Sequence, residues 1–129
     1  MEIETGIRVE WLNEPQCIRM IWGHNVNERD VKSAFAQIQA LLDEVSEPRC
    51  VLVDLSSEPN MPLGATVQNA LWGPYRHPRL RTWLIIESRP NRVAHVAEKF
   101  LSGATGRQNV LWFTSEAEAL DAVHQGLLQ

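Results

Sequence analysis

Cysteine is scarce in this 129-residue chain: Cys17 and Cys50 are the only two, and they stand in no CxxC spacing. Each lies in an apolar, strand-like run, so the pair reads as small packed hydrophobes in a reducing compartment, with a buried disulfide as the alternative. Long apolar runs are missing too. No stretch approaches the ~20 residues of a membrane span, and the acidic, alternating start "MEIETGIRVEW" is no signal peptide. The expectation is a soluble, cytoplasmic protein with no membrane partner.

Glycine-rich motifs are also lacking. No GxGxxG or GxxxxGK[ST] follows any apolar run, which removes the common phosphate cradles. His24, His77, His95 and His124 include no HxH, HxxH or HxxxH pair and no neighbouring cysteine, so no metal site is expected. There is no GxSxG elbow to expose a serine nucleophile. These absences argue for no cofactor, no metal and no catalytic residue.

The composition that remains is that of a globular domain. With 44% hydrophobic and 22% charged residues, nothing suggests disorder, and the length suffices to bury a core. No linker or repeat divides the chain, so residues 1–129 are read as one domain. The net charge of −4 is unevenly spread: residues 1–75 carry −6, 76–107 carry +5 and 108–129 carry −3. The basic part contains "YRHPRLRTW", yet the sequence pI near 5.5 and the lack of any nucleic-acid-binding signature exclude a nucleic-acid partner. Arginine clusters of this kind also serve protein interfaces.

The apolar period switches between two and 3.6 at turn and cap residues. "GIRVEWL" and "CIRMIWG" alternate around "NEPQ", which predicts a β-hairpin over residues 6–22. From Asn27, which stands in capping-box spacing with Asp30, residues 31–45 repeat at helical spacing up to "SEP". "CVLVDL" and "TWLIIE" are continuous apolar runs, as expected of central strands covered on both faces. A short helix is predicted over 63–72. A second one places Val93, Val96, Ala97, Phe100 and Leu101 on its inner face and stops at Gly103. "NVLWF" is a strand, and Ser115 with Glu118 caps a last helix. The order β-β-α-β-α-β-α-β-α predicts an α/β fold: a mixed, mostly parallel sheet of about five strands with four helices and an antiparallel hairpin at its edge.

Candidate site residues cluster in "VLVDLSSEPNMPLGATVQNALWGPY". Asp54 ends a central strand, the edge where open α/β sheets gather ligands. Two readings fit it: an Asx-type turn holding the loop behind it, or a thin acidic pair with Glu87. Ser56 and Ser57 follow directly. Met61, Leu63, Trp72 and Tyr75 are expected near solvent as contact anchors. The other tryptophans, Trp11, Trp22, Trp83 and Trp112, fall on strands and are expected in the core or on a sheet face. His95 reads as a partly exposed helix residue.

In that order of elements the chain resembles the STAS domain, the SpoIIAA-like fold of the sporulation anti-sigma factor antagonists. The resemblance rests on the opening hairpin, on "GHNVNERDVKSAF", on "CVLVDLSS" with the short helix after it, and on the terminal "VLWFTSEAEALDAV". It implies the STAS fold and action through protein or small-ligand contacts. In the antagonist branch an Asp-Ser-Ser-Gly-Leu motif opens the helix, and the serine before its glycine is phosphorylated. Matched on Gly64, that serine's place is taken here by Leu63, which has no hydroxyl. The expectation is therefore a non-enzymatic regulatory module without that phosphoswitch, bacterial in type, contacting another protein or forming a homodimer through its hairpin edge or aromatic helix. The alternatives are a binder of a small apolar ligand or lipid in a tryptophan-walled pocket, and a hydrolase or transferase using Asp54 or Ser56.

Overall fold

The computed structural model of the chain describes residues 5–13 and 16–125. Strands β1 (Ile7–Asn13), β2 (Gln16–Trp22), β3 (Arg49–Asp54), β4 (Leu80–Ile86) and β5 (Val110–Phe113) form one five-stranded sheet in sequence order. β1 and β2 pair antiparallel, with Val9 opposite Met20 and Trp11 opposite Ile18. The other neighbours are parallel. This is the expected α/β architecture with one antiparallel pair. The hairpin turn falls on residues 14–15, which lie outside the described residues.

Helices α1 (Glu28–Glu44), α2 (Leu63–Leu71) and α3 (Arg92–Thr105) each join two adjacent parallel strands, and α4 (Glu116–His124) follows β5. Crossovers of one hand between sequential neighbours put the first three helices on the same face of the sheet. Ile18, Met20, Trp22, Val51, Val53, Trp83 and Ile85 point to that face and pack with residues of all three helices. α4 lies alone on the other face, where Ala119 meets Cys17, Cys50, Leu52, Leu84 and Ile86. Strand residues 50–53 are therefore buried on both sides, which is why "CVLV" does not alternate. No helix of the described residues is long and apolar enough to cross a membrane.

The predicted caps set the helix starts. The Asn27 side chain accepts from the Asp30 N–H at 2.8 Å while the Asp30 carboxylate accepts from the Asn27 N–H at 3.0 Å. Such a cap stabilises a helix by about 1 kcal/mol. On α1, Val31, Ile38 and Leu42 are fully buried, each worth roughly 1.5–3 kcal/mol. α3 runs past Gly103, where a stop was expected. It ends at Gly106, whose φ of 72° is the left-handed conformation that glycine adopts without a Cβ penalty.

Candidate binding site

The candidate residues separate into a turn, an inner wall and an outer face. Asp54, at the end of β3, accepts at one Oδ1 from the Ser56 N–H at 2.9 Å and from the Ser56 hydroxyl at 2.6 Å. That is the Asx-type turn. Glu87 is occupied elsewhere, accepting from the Asn91 N–H and pairing with His95 Nε2, both at 2.8 Å. The two acids thus have separate hydrogen-bond partners.

The loop after Asp54 is stapled to its neighbours. Ser57 donates its hydroxyl to the Trp22 carbonyl at 2.6 Å. Val26 N–H donates to the Asn60 side-chain oxygen, and Asn60 N–H donates to the His24 carbonyl, both at 3.0 Å. His24 Nδ1 meets Ser57 at its carbonyl, 3.2 Å away, and not at its hydroxyl. Ser56 and Ser57 thus spend their hydroxyls on structure: one on a carboxylate, the other on a backbone carbonyl.

Met61 and Tyr75 turn inward, contrary to expectation: they are 9% and 1% exposed. The cause for Tyr75 is the Pro74–Arg76 3-10 turn directly behind α2, which folds the chain back toward the sheet. There the Tyr75 ring stacks on Trp83 with centroids 6.3 Å apart, and its hydroxyl donates to the Arg107 carbonyl at 3.1 Å. Arg107 answers with a bond to the Tyr75 carbonyl at 2.9 Å. Burial raises the Tyr75 phenol above its ordinary pKa. Both residues line a partly open cavity of about 60 Å³ between the sheet, α2 and α3. Trp22, Trp83 and Met20 form its floor, while Thr66, Ala70, Ala94 and Ala97 face it from the helices. Large rings below and small side chains above leave the space.

Leu63 and Trp72, at the two ends of α2, face solvent as expected, and Trp72 is 74% exposed. The Arg76 guanidinium lies over its indole at 5.3 Å, a cation–π contact. Arg29 and Lys32 of α1 share a surface groove with Trp72. On the neighbouring α3, Val96 and Phe100 are also exposed, the latter by 60%. Both were expected on the inner face. That face is in fact filled by Ala94, Ala97 and Leu101, and Arg92, Val96 and Phe100 form the i, i+4, i+8 ridge one step around the helix. The apolar positions of α3 are too many for one buried stripe, and that excess width was the available signal.

One further cluster escaped the sequence. The His95 ring stacks on Trp112 of β5 with centroids 3.6 Å apart and planes 9° from parallel, while its Nε2 bonds Glu87. It ties the start of α3 to the ends of β4 and β5, and the ring is partly exposed as expected. Cys17 and Cys50 are buried thiols, not a disulfide. Among the described residues, no three of His, Cys, Asp and Glu gather as a metal site would need.

The chain matches no protein-family model, no curated protein and no solved structure.

Proposed function

We propose that this protein is a non-enzymatic, STAS-like interaction module whose docking face is the outer surface of α2 and α3. The observation that carries the reading is the grouping of exposed Leu63, Trp72, Val96 and Phe100 on these two neighbouring helices. Arg76, Arg92 and Lys99 are exposed among them. An aromatic and arginine-rich patch of this kind is the usual make-up of interface anchors. Its charge calls for an acidic protein segment with apolar anchors of its own. Leu63 opens α2 where related antagonists keep their phosphorylated serine, so contact, not phosphorylation, is the mode of action. The committed side chains of Asp54, Ser56 and Ser57 support the non-enzymatic part of the reading.

The test compares retention of partners from a host lysate by the wild type, by Trp72→Ala with Phe100→Ala, and by Arg92→Glu with Lys99→Glu. A partner held by the wild type is expected to weaken by about 30-fold or more in the aromatic variant. In the charge-reversed variant it should be lost, and salt should weaken it. A wild-type protein that stays a monomer and holds no partner that these variants release would overturn the reading. Loss of a wild-type dimer in the same variants would instead identify the partner as a second copy.

A further inference from the structure

The sheet ends in two edge strands of unequal character. β5 offers four residues, whereas β1 offers seven, Ile7–Asn13, paired residue for residue with β2 and without a bulge. Edge strands are ordinarily blunted by proline, lysine, a bulge or a covering segment, because their outer N–H and C=O groups can pair with another chain. β1 contains neither proline nor lysine, and among the described residues its backbone pairs with β2 alone. Its side chains alternate between the faces. Ile7, Val9 and Trp11 are half-buried on the α1 side, and Arg8, Glu10 and Leu12 lie on the α4 side. Arg8 meets Glu10 of its own strand only at 3.7 Å, and their side chains are 52% and 36% exposed.

We infer that β1 pairs antiparallel with β1 of a second copy across a twofold axis at Val9, joining the two five-stranded sheets into one. The residues of the strand select both partner and register. A twofold axis perpendicular to a sheet keeps every side chain on its own face, so one residue must stand opposite its own copy. An axis at Arg8 opposes two arginines and an axis at Glu10 opposes two glutamates, and both arrangements are destabilising. An axis at Trp11 sets Glu10 against Leu12 and leaves the charge unpaired. An axis at Ile7 runs the pairing off the start of the strand. Only the axis at Val9 sets Arg8 opposite the partner's Glu10, twice by symmetry. On the other face it brings Val9 to Val9 and Ile7 to the partner's Trp11, an aromatic and β-branched pair of the stabilising kind. The strand is complementary to itself, which is why the partner is a second copy. β1 is the far edge of the sheet from β4 and β5, which α3 joins, so this contact is distinct from the α2–α3 docking face.

Sedimentation equilibrium of the whole protein measures the dimer, and exchange of charges tests its register. Arg8→Glu opposes like charges at both symmetric positions, and so does Glu10→Arg. Each variant alone should dissociate about 10-fold more readily than the wild type. Mixed in equal amounts, the two restore opposite charges at both positions and should form a mixed dimer of wild-type affinity, a recovery that misfolded variants would not show. Val9→Cys should link the copies under mild oxidation, since residues directly opposed in an antiparallel pair lie about 5 Å apart, within disulfide range. Arg8→Cys sits diagonally from its own copy, about 7–8 Å away, and should link about 10-fold more slowly. The native thiols are buried and do not compete. A wild type that stays monomeric, a dimer that both charge variants keep, variants that do not recombine on mixing, or equal linking by the two cysteine variants would each overturn the inference. All of these variants leave Trp72 and Phe100 in place, so failure of this dimer and failure of the α2–α3 docking face are separate results.

Discussion

The two faces of the sheet are both buried, but they are built on different rules. The face under α1, α2 and α3 sets large side chains, Trp22, Trp83, Phe35, Tyr75 and Met20, against small ones on the helices. The face under α4 sets medium and small side chains against each other: Cys17, Cys50, Leu52, Leu84 and Ala119. Cys17, Leu52, Leu84 and Ala119 have no exposed surface at all. The first face leaves a space between rings and small side chains; the second has its strand and helix residues fully covered. Slack on one side of a sheet is tolerable when the other side carries the packing.

One substitution made on both faces breaks the comparison most directly. Ala119→Leu pushes a branched side chain into a site with no room, and overpacking of that kind costs about 3 kcal/mol or more. Ala97→Leu adds the same atoms where α3 faces the cavity, and stability should change by no more than ~1 kcal/mol, because the added methyls are buried without displacing others. Urea unfolding of the two variants checks this. Equal losses would mean that the faces pack alike.

The thiols provide the next contrast. Burial pushes the Cys17 thiol up to about 12 and raises Cys50 in the same direction. In the unfolded chain both titrate near the ordinary 9.0. Above that value the unfolded state loses protons that the folded state keeps, so stability is full below about pH 9 and declines as pH rises toward 12. Tyr75 on the other face adds to the decline above its ordinary 10.0. Unfolding free energy measured from pH 8 to 11 should fall in the wild type and fall less in Cys17→Ala with Cys50→Ala. At pH 8, a thiol reagent should react with the native protein only as fast as it unfolds.

Much of this architecture was legible in the chain, and the places where it was not share a cause. The order of elements followed from changes of period, and the Asx turn at Asp54, one of its two readings, was visible because it is local chemistry over two residues. Tyr75 and Met61 were expected outside because prolines and glycine around them signal a loop. What returns them to the core is the packing partner, Trp83 for the one and the cavity wall for both, and that is set by strand order. Val96 and Phe100 show the reverse. Helical spacing identifies stripes but does not choose between two adjacent ones; in the fold the stripe of Ala94, Ala97 and Leu101 is the buried one. The cavity itself could not be seen, since it needs Thr66, Ala70, Ala94 and Ala97 from two helices to meet over two tryptophans from β2 and β4.

The smallest predicted effect is also the most diagnostic. Thr66→Val exchanges a hydroxyl for a methyl of nearly the same shape in a residue that is 6% exposed on the cavity roof. The two side chains have similar helix propensity, so the backbone is not perturbed. The hydroxyl has no hydrogen-bond partner among the described residues, and removing a buried unsatisfied group should stabilise the fold by about 1 kcal/mol, raising the thermal midpoint by ~4 °C for a domain of this size. On the α4 face, Leu84→Ala should destabilise by ~2–5 kcal/mol. A gain in midpoint from Thr66→Val beside a loss from Leu84→Ala, both read by thermal unfolding, would show that the two faces of the sheet carry the packing unequally.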